Sequence, residues 1–295
     1  MTGPERGFLL LSSHLGDPAR KPLTVPQLRL LHHRVQQMEK PGENRDLSER
    51  DLIQLGYSSQ TARQILGLLE EEDVLDYYLA QGRLCGCVPM TKVSEGYPAA
   101  LRNRLGAEAP GCLWAKGDLS LLSGSAVALV GSRELGQENR KFAEAVGIFA
   151  AQKGLVLVSG NARGADRAAQ NACLNAGGSV ISIVADELTK HSPKERTLYI
   201  SEDGFEEPFS TQRALSRNRC IHALGQMVFV AQARLKRGGT WQGTAANLRH
   251  SWSPVLCFRD GSEASRALEQ MGAYLIGKEE FSDFSMPEQE QLTIF

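Results

Sequence analysis

Glycines and arginines follow three apolar runs of this chain, at the points where buried strands would end. A glycine after a strand lets a ligand approach the backbone, and the amides that open the next helix face that ligand with the positive end of the helix dipole. Arginine adds a planar fork of donors that fits phosphate oxygens. The pattern therefore predicts an anion-binding rim. Its members are Gly131, Ser132 and Arg133 after the first run, Ser159, Gly160, Arg163, Gly164 and Asp166 after the second, and Lys236, Gly238, Gly239 and Thr240 after the third.

Further polar and basic residues fall on the same predicted edge. They are Arg167, Arg217, Asn218, Arg219, Arg234 and Arg237. A series of cations along one edge fits a polynucleotide better than it fits a single phosphate. Each arginine could also be an ordinary solvated surface charge. Asp166 is expected to orient Arg163 or to cap the following helix, rather than to act as an acid or a base.

Composition and charge restrict the classes of partner and cofactor. The 295 residues include 33 Lys+Arg and 34 Asp+Glu, so the net charge of -1 gives no overall attraction to nucleic acid or membrane, and any polyanion site must be local. The six cysteines lack the paired spacing of a zinc site and are expected to be small buried residues in a reducing cytoplasm. No apolar run is long enough to span a membrane. We therefore expect a cytoplasmic protein with no metal.

The turn after the first apolar run also argues against a redox cofactor. A dinucleotide fingerprint needs G-x-G-x-x-G after the first strand. The stretch from Gly131 to Gly136 reads G-S-R-E-L-G and is one glycine short. We expect no cofactor.

The sequence divides into four predicted regions, and three of them lie outside the region 123–277 that carries the rim. Residues 1–80 are expected to form a small all-helical domain. It is either a sterile-alpha-motif or helix-hairpin-helix unit that contacts DNA or protein, or a cap that packs on the main domain. Its last helix is expected to end in the acidic run 70–73. Residues 81–122 form a connector with an edge strand, and residues 278–295 form a flexible acidic tail.

Between residues 123 and 277, short Val/Ile/Leu runs alternate with helical patterns. Such runs predict a doubly wound, mostly parallel sheet covered on both faces, which binds ligands at the carboxyl ends of its strands, where the rim falls. The strands are expected at 126–130, 155–158, 179–184, 227–231, 254–258 and 273–276, and the helices at 137–153, 164–176, 209–224, 241–250 and 262–271.

Four motifs in order carry a resemblance to a known family. The turn from Ser159 to Asp166 resembles the S-G-x-A-x-G-x-D turn of the DNA-processing protein A family (DprA, also called Smf), and Gly131 to Arg133 is similar to its G-S-R. Ile200 to Glu202 and Arg217 to Ile221 are similar to its S-E and R-N-R-x-I elements, and Tyr97-Pro98 and the segment 113–117 match its entry to the core. The similarity covers Tyr97 to Phe258.

The resemblance implies an extended Rossmann-like fold and a protein that binds single-stranded DNA at the strand ends without catalysis. It also implies a homodimer that loads RecA recombinase during transformation or recombination. The implied DNA contacts are Gly131, Ser132, Arg133, Ser159, Arg163, Gly164, Arg217, Asn218 and Arg219.

The third turn departs from the family pattern. We expect a divergent member without the C-terminal winged helix of the family. Its Gly238-Gly239-Thr240 is similar to the P-G-G-x-G-T-x-x-E motif of the cytokinin-activating phosphoribohydrolases, but Asn247 stands at the position of the glutamate. Without that carboxylate the hydrolysis loses its general base, so an enzyme is not expected. The alternative function is a nucleotide-binding sensor or a phosphoribohydrolase-like enzyme. Trp241 could stack on a base or belong to the core.

The last five residues resemble a docking peptide. Gln291, Leu292, Ile294 and Phe295 fit the Q-L-x-L-F pattern by which bacterial proteins bind the DNA polymerase sliding clamp. An apolar anchor on a mobile tail is suited to groove binding. A tail that folds back onto its own domain is the alternative.

Overall fold

The computed structural model describes residues 1–38, 47–278 and 280. It has a mixed, mostly parallel sheet flanked by helices, which confirms the predicted Rossmann-like α/β class. The chain divides into two compact units, one of Met1–Ser123 with Ser182–Cys220 and the other of Gly124–Ile181 with Ile221–Phe295. Among the described residues, no helix has both the length and the hydrophobicity needed to cross a bilayer.

Helices dominate the start of the first unit, as the sequence predicts. Serine and threonine caps begin several of them: the side chains of Thr2, Ser48 and Ser58 each accept a hydrogen bond from a backbone amide of the first turn. The helices are α1 (Gly3–Ser12), α2 (Val25–Gln36), α3 (Glu49–Gln54), α4 (Ser59–Leu69), α5 (Glu72–Leu84) and α6 (Ala99–Leu105).

An antiparallel group of strands completes the first unit. Strand β1 (Val88–Thr91) pairs with β2 (Cys112–Gly117), which pairs with a later strand of residues Thr197–Glu202. The indole of Trp114 on β2 is buried against Tyr78 and Phe205, with ring centroids 5.2 and 4.8 Å away.

The second unit alternates strands with helices. Strand β3 (Ala126–Val130) leads to α7 (Gln137–Gln152), and β4 (Val156–Ser159) leads to α8 (Ala165–Asn175). The five residues of β3 and the four of β4 are all buried, which explains their unbroken apolar runs. Helix α7 lies so close to α8 that a Cβ at Gly147 would stand 2.2 Å from the carbonyl oxygen of Ala169.

The remaining elements complete the sheet. Strand β5 (Ser179–Val184) crosses the boundary between the units, and the Thr197–Glu202 strand is β6; helix α9 spans Thr211–Leu224. The last elements of the second unit are β7 (Val228–Val230), α10 (Gly238–His250), β8 (Val255–Phe258), α11 (Glu263–Gln270) and β9 (Tyr274–Ile276). In this unit β3 pairs in parallel with both β4 and β7, β7 with β8, and β8 with β9.

Candidate nucleic-acid interface

Three loops of the second unit meet at the carboxyl ends of β3, β4 and β7. The amide of Ser132 donates to the carbonyl of Gln232 (2.9 Å), and the amide of Ala165 donates to the carbonyl of Ser132 (3.2 Å). The amide of Gly136 donates to Oε1 of Gln232 (3.0 Å). These bonds join the three loops into one surface, so side chains that project from it are held in fixed relative positions.

Two rim glycines allow the loops to pack against one another. Gly164 has φ +82°, and a Cβ there would lie 2.4 Å from the carbonyl oxygen of Ser132 and 2.5 Å from that of Arg133. A Cβ at Gly131 would lie 2.4 Å from the Cβ of Ala165. Glycine at both positions therefore serves the contact between loops, in addition to any approach by a ligand.

The turn between β4 and α8 is shaped by its own polar groups. The carboxylate of Asp166 accepts a hydrogen bond from the amide of Ala162 (3.1 Å), so it braces the loop that leads into the helix. The hydroxyl of Ser159 is fully buried and accepts from the side-chain amide of Gln170 (2.5 Å). Both groups hold the shape of the loop, and Gly160 beside Ser159 is buried as well.

The exposed cations of these loops differ in their partners. Arg133, Arg163 and Lys236 are exposed, and none forms an ion pair with a described carboxylate. Arg234, in contrast, forms an ion pair with Glu134. An unpaired cation can bind a phosphate without breaking an existing ion pair, so the first three are the best-placed anion ligands of the surface.

The predicted R-N-R segment belongs to the first unit. Arg217 is only 7% exposed, and Asn218 is half-buried. Arg219 lies 3.5 Å from the buried carboxylate of Glu202, which also accepts hydrogen bonds from Ser216 (2.8 Å) and Cys220 (3.0 Å). The S-E and R-N-R motifs are therefore bonded to each other through Glu202, and contact of this segment with DNA stays a prediction.

The third turn is part of a helix. The sequence predicts that this helix begins at residue 241, but α10 begins at Gly238, so Gly238, Gly239 and Thr240 lie in its first turn. This placement corrects the prediction. Trp241 is 9% exposed and belongs to the core, which decides between the two roles considered for it.

Asn247, at the position of the hydrolase glutamate, is fully buried. Its Oδ1 accepts from the amide of Ser253 (2.9 Å), and its Nδ2 lies 3.2 Å from Nδ1 of His222, whose pKa burial lowers to about 3. Asn247 therefore forms hydrogen bonds within the core. Because its side chain is not exposed to solvent, a substrate cannot reach it. Within the described ranges, no group of His, Cys, Asp and Glu residues has the arrangement of a metal site.

One basic residue beside this surface is not predicted from the sequence. Arg140 on α7 lines the same open depression as Arg163 and Arg167. A single arginine in a helical stretch carries no local signal, and only the packing of α7 on α8 brings it there.

The matching family model and the curated relatives agree on one family. Residues 89–284 match the family described as DNA recombination-mediator protein A. The DNA processing protein DprA of Streptococcus pneumoniae is 36% identical over 141 residues, which cover 44% of this chain and 50% of that protein; protein Smf of Escherichia coli is 27% identical over 201 residues, which cover 63% and 53%. The chain thus spans about half the length of these curated relatives.

Solved structures extend the similarity. The X-ray structure of DprA from Streptococcus pneumoniae superposes with a TM-score of 0.66 and 26% identity, covering 90% of this chain and 99% of that one. A structure of the Helicobacter pylori protein, described for its single-stranded DNA binding mode, has a TM-score of 0.56 and 22% identity, covering 67% and 93%, and at that identity it supports the fold alone.

Proposed function

Since this chain belongs to the DNA recombination-mediator protein A family, we propose that it binds single-stranded DNA and acts in DNA uptake and recombination without catalysing a reaction. The observation that carries the proposal is a set of exposed cations on three hydrogen-bonded loops, none of them ion-paired with a described carboxylate: Arg133, Arg163 and Lys236. The matched family is named for recombination and the Streptococcus pneumoniae relative for DNA processing, and neither is named for hydrolysis.

Phosphate neutralisation supplies the affinity in this proposal. Each cation that binds a phosphate releases a condensed counterion, so binding weakens as salt rises. Base stacking by Trp241 makes no contribution, because that side chain is buried. Binding is therefore expected to depend strongly on salt and weakly on sequence.

The partners proposed for the chain rest on different grounds. Dimerisation and the loading of RecA recombinase are proposed from the family resemblance. Docking on a sliding clamp is proposed from Gln291, Leu292, Ile294 and Phe295 alone, because these residues lie outside the described part of the chain.

A thermal-shift comparison separates this function from the nucleotide-binding alternative. An oligothymidylate at 100 times its Kd should stabilise the chain by about 2.7 kcal/mol, which raises Tm by several degrees, while AMP, ATP and ribose 5-phosphate at equal phosphate concentration leave Tm unchanged. A DNA duplex of the same length serves as control and should shift Tm less. Stabilisation by a mononucleotide without stabilisation by the oligothymidylate would support the sensor or hydrolase instead.

A further inference from the structure

An open depression lies between α7 and α8, beside the loop that carries Arg163. It has a volume of about 410 Å³ and lies wholly within the second unit. Arg140 and Glu144 line it from α7, and Arg163 and Arg167 line it from the start of α8 and the preceding loop. It therefore continues directly from the loop surface described above.

Small residues explain why the depression is open. Ala168 and Ala172 of α8 also line it, and their short side chains leave space between the two helices. The close approach of the helices at Gly147 fixes their spacing, because the backbone of one lies against the backbone of the other. Charged side chains thus surround a depression whose width is set by the helix spacing and whose α8 side includes two alanines.

The charges around this space are unbalanced. Arg140, Arg163 and Arg167 are exposed, and none of the three forms an ion pair with a described carboxylate. Among the described residues, Glu144 is the single acidic residue that lines the depression. Three cations and one anion leave a local charge of about +2, although the whole chain carries -1. A local positive field of this kind attracts a second anion once the loop site is occupied.

We propose that Arg140 and Arg167 form a second phosphate subsite, into which a single DNA strand bound on the loops continues past Arg163. The inference rests on the proposed function, since the strand must first occupy the loops. Arg163 lines the depression and belongs to the loop surface, so one side chain joins the two subsites. The occupant is a backbone phosphate of the same strand, recognised by guanidinium groups without regard to base.

The charge of Glu144 allows a test in which the direction of the change in affinity decides the outcome. Its carboxylate lines the same space and repels a phosphate there, so Glu144→Gln should tighten binding of a strand long enough to reach the depression. If the depression instead held a base, the carboxylate would accept hydrogen bonds from it, and the same substitution would weaken binding.

The experiment measures the affinity of oligothymidylates of increasing length at several salt concentrations. The double variant Arg140→Ala/Arg167→Ala should bind the long strands several-fold more weakly, with a salt slope shallower by about 1.4, and bind the shortest strand as the parent chain does. The control Lys153→Ala removes a positive charge at the end of α7, outside the depression, and should leave all lengths unchanged. Melting temperatures confirm that the variants fold.

Two outcomes would overturn the subsite: a double variant that binds long strands as the parent does, or one that loses affinity equally at every length. Loss of binding by Glu144→Gln would also contradict it. A parent chain that binds no oligothymidylate would refute the proposed function itself, which is a distinguishable result.

Discussion

Arg133→Ala/Arg163→Ala should lower the affinity for single-stranded DNA by about 100-fold at moderate salt, since each charged hydrogen bond to a phosphate contributes about 1.5 kcal/mol. Both side chains are exposed and free of described ion pairs, so their loss removes phosphate contacts without exposing a buried partner. Fluorescence anisotropy with a labelled oligothymidylate measures the change.

A matched double variant controls for net charge. Lys153 follows the last turn of α7 and Arg249 lies in the last turn of α10, whereas the first turns of both helices adjoin the loops. Lys153→Ala/Arg249→Ala removes the same charge far from the three loops. It should change the affinity for DNA by less than about threefold, because only the screened long-range electrostatic attraction is lost. Equal losses in the two double variants would mean that the loops bind no phosphate directly.

Gly164→Ala should lower the free energy of unfolding by about 3 kcal/mol, because the substitution adds backbone strain to a steric clash. The residue has φ +82°, and the new methyl group would lie 2.4 Å and 2.5 Å from two carbonyl oxygens of the neighbouring loop. Displacement of that loop should also weaken DNA binding. Denaturant unfolding and anisotropy measure the two effects.

Gly154→Ala is the matched control for strain alone. Gly154 also has a positive φ of +65°, but nothing lies within 4 Å of the added methyl group. Its cost should be about 1 kcal/mol, with DNA binding unchanged. If both alanine variants lose the same stability, the loop contact at Gly164 is weaker than its geometry indicates.

The alternation of strands and helices after residue 123 is well predicted by the sequence. Strand β5 has the predicted bounds of residues 179–184, and α7 (Gln137–Gln152) ends one residue before the predicted 153. Buried parallel strands need apolar side chains on both faces, so their runs are unbroken and bounded by glycine or polar residues. That signal is strong because burial on both faces admits few substitutions.

Helix α5 and strand β6 are among the elements that the sequence does not predict, for identifiable reasons. The sequence predicts that a helix ends in the acidic run 70–73, and α4 does end at Leu69, with Glu70 as its C-cap. The same run also begins α5 at Glu72, where acidic residues are stabilised by the helix dipole, and this second helix is not predicted. Strand β6 (Thr197–Glu202) is not recognisable as a buried strand from the sequence, because its two last residues, Ser201 and Glu202, are polar although the whole strand is buried.

The site could be predicted in position but not in the role of each residue. Glycines and arginines that directly follow apolar runs mark the loops, because a residue that follows a strand in the sequence also lies at the end of that strand in the fold. Packing between distant segments decides the other features, and no local sequence pattern encodes it. These features are the burial of Ser159 and Arg217, the loop contact at Gly164 and the position of Arg140 beside the loops.

The salt dependence of binding by the unaltered chain measures how far phosphate contacts supply the affinity for DNA. If Arg133, Arg163 and Lys236 bind phosphates, the logarithm of the association constant for single-stranded DNA should fall linearly with the logarithm of salt concentration, with a slope of about -2 or steeper. An affinity that does not change with salt, or that is as high for a mononucleotide as for an oligothymidylate, would mean that these loops do not bind a DNA strand through its phosphates.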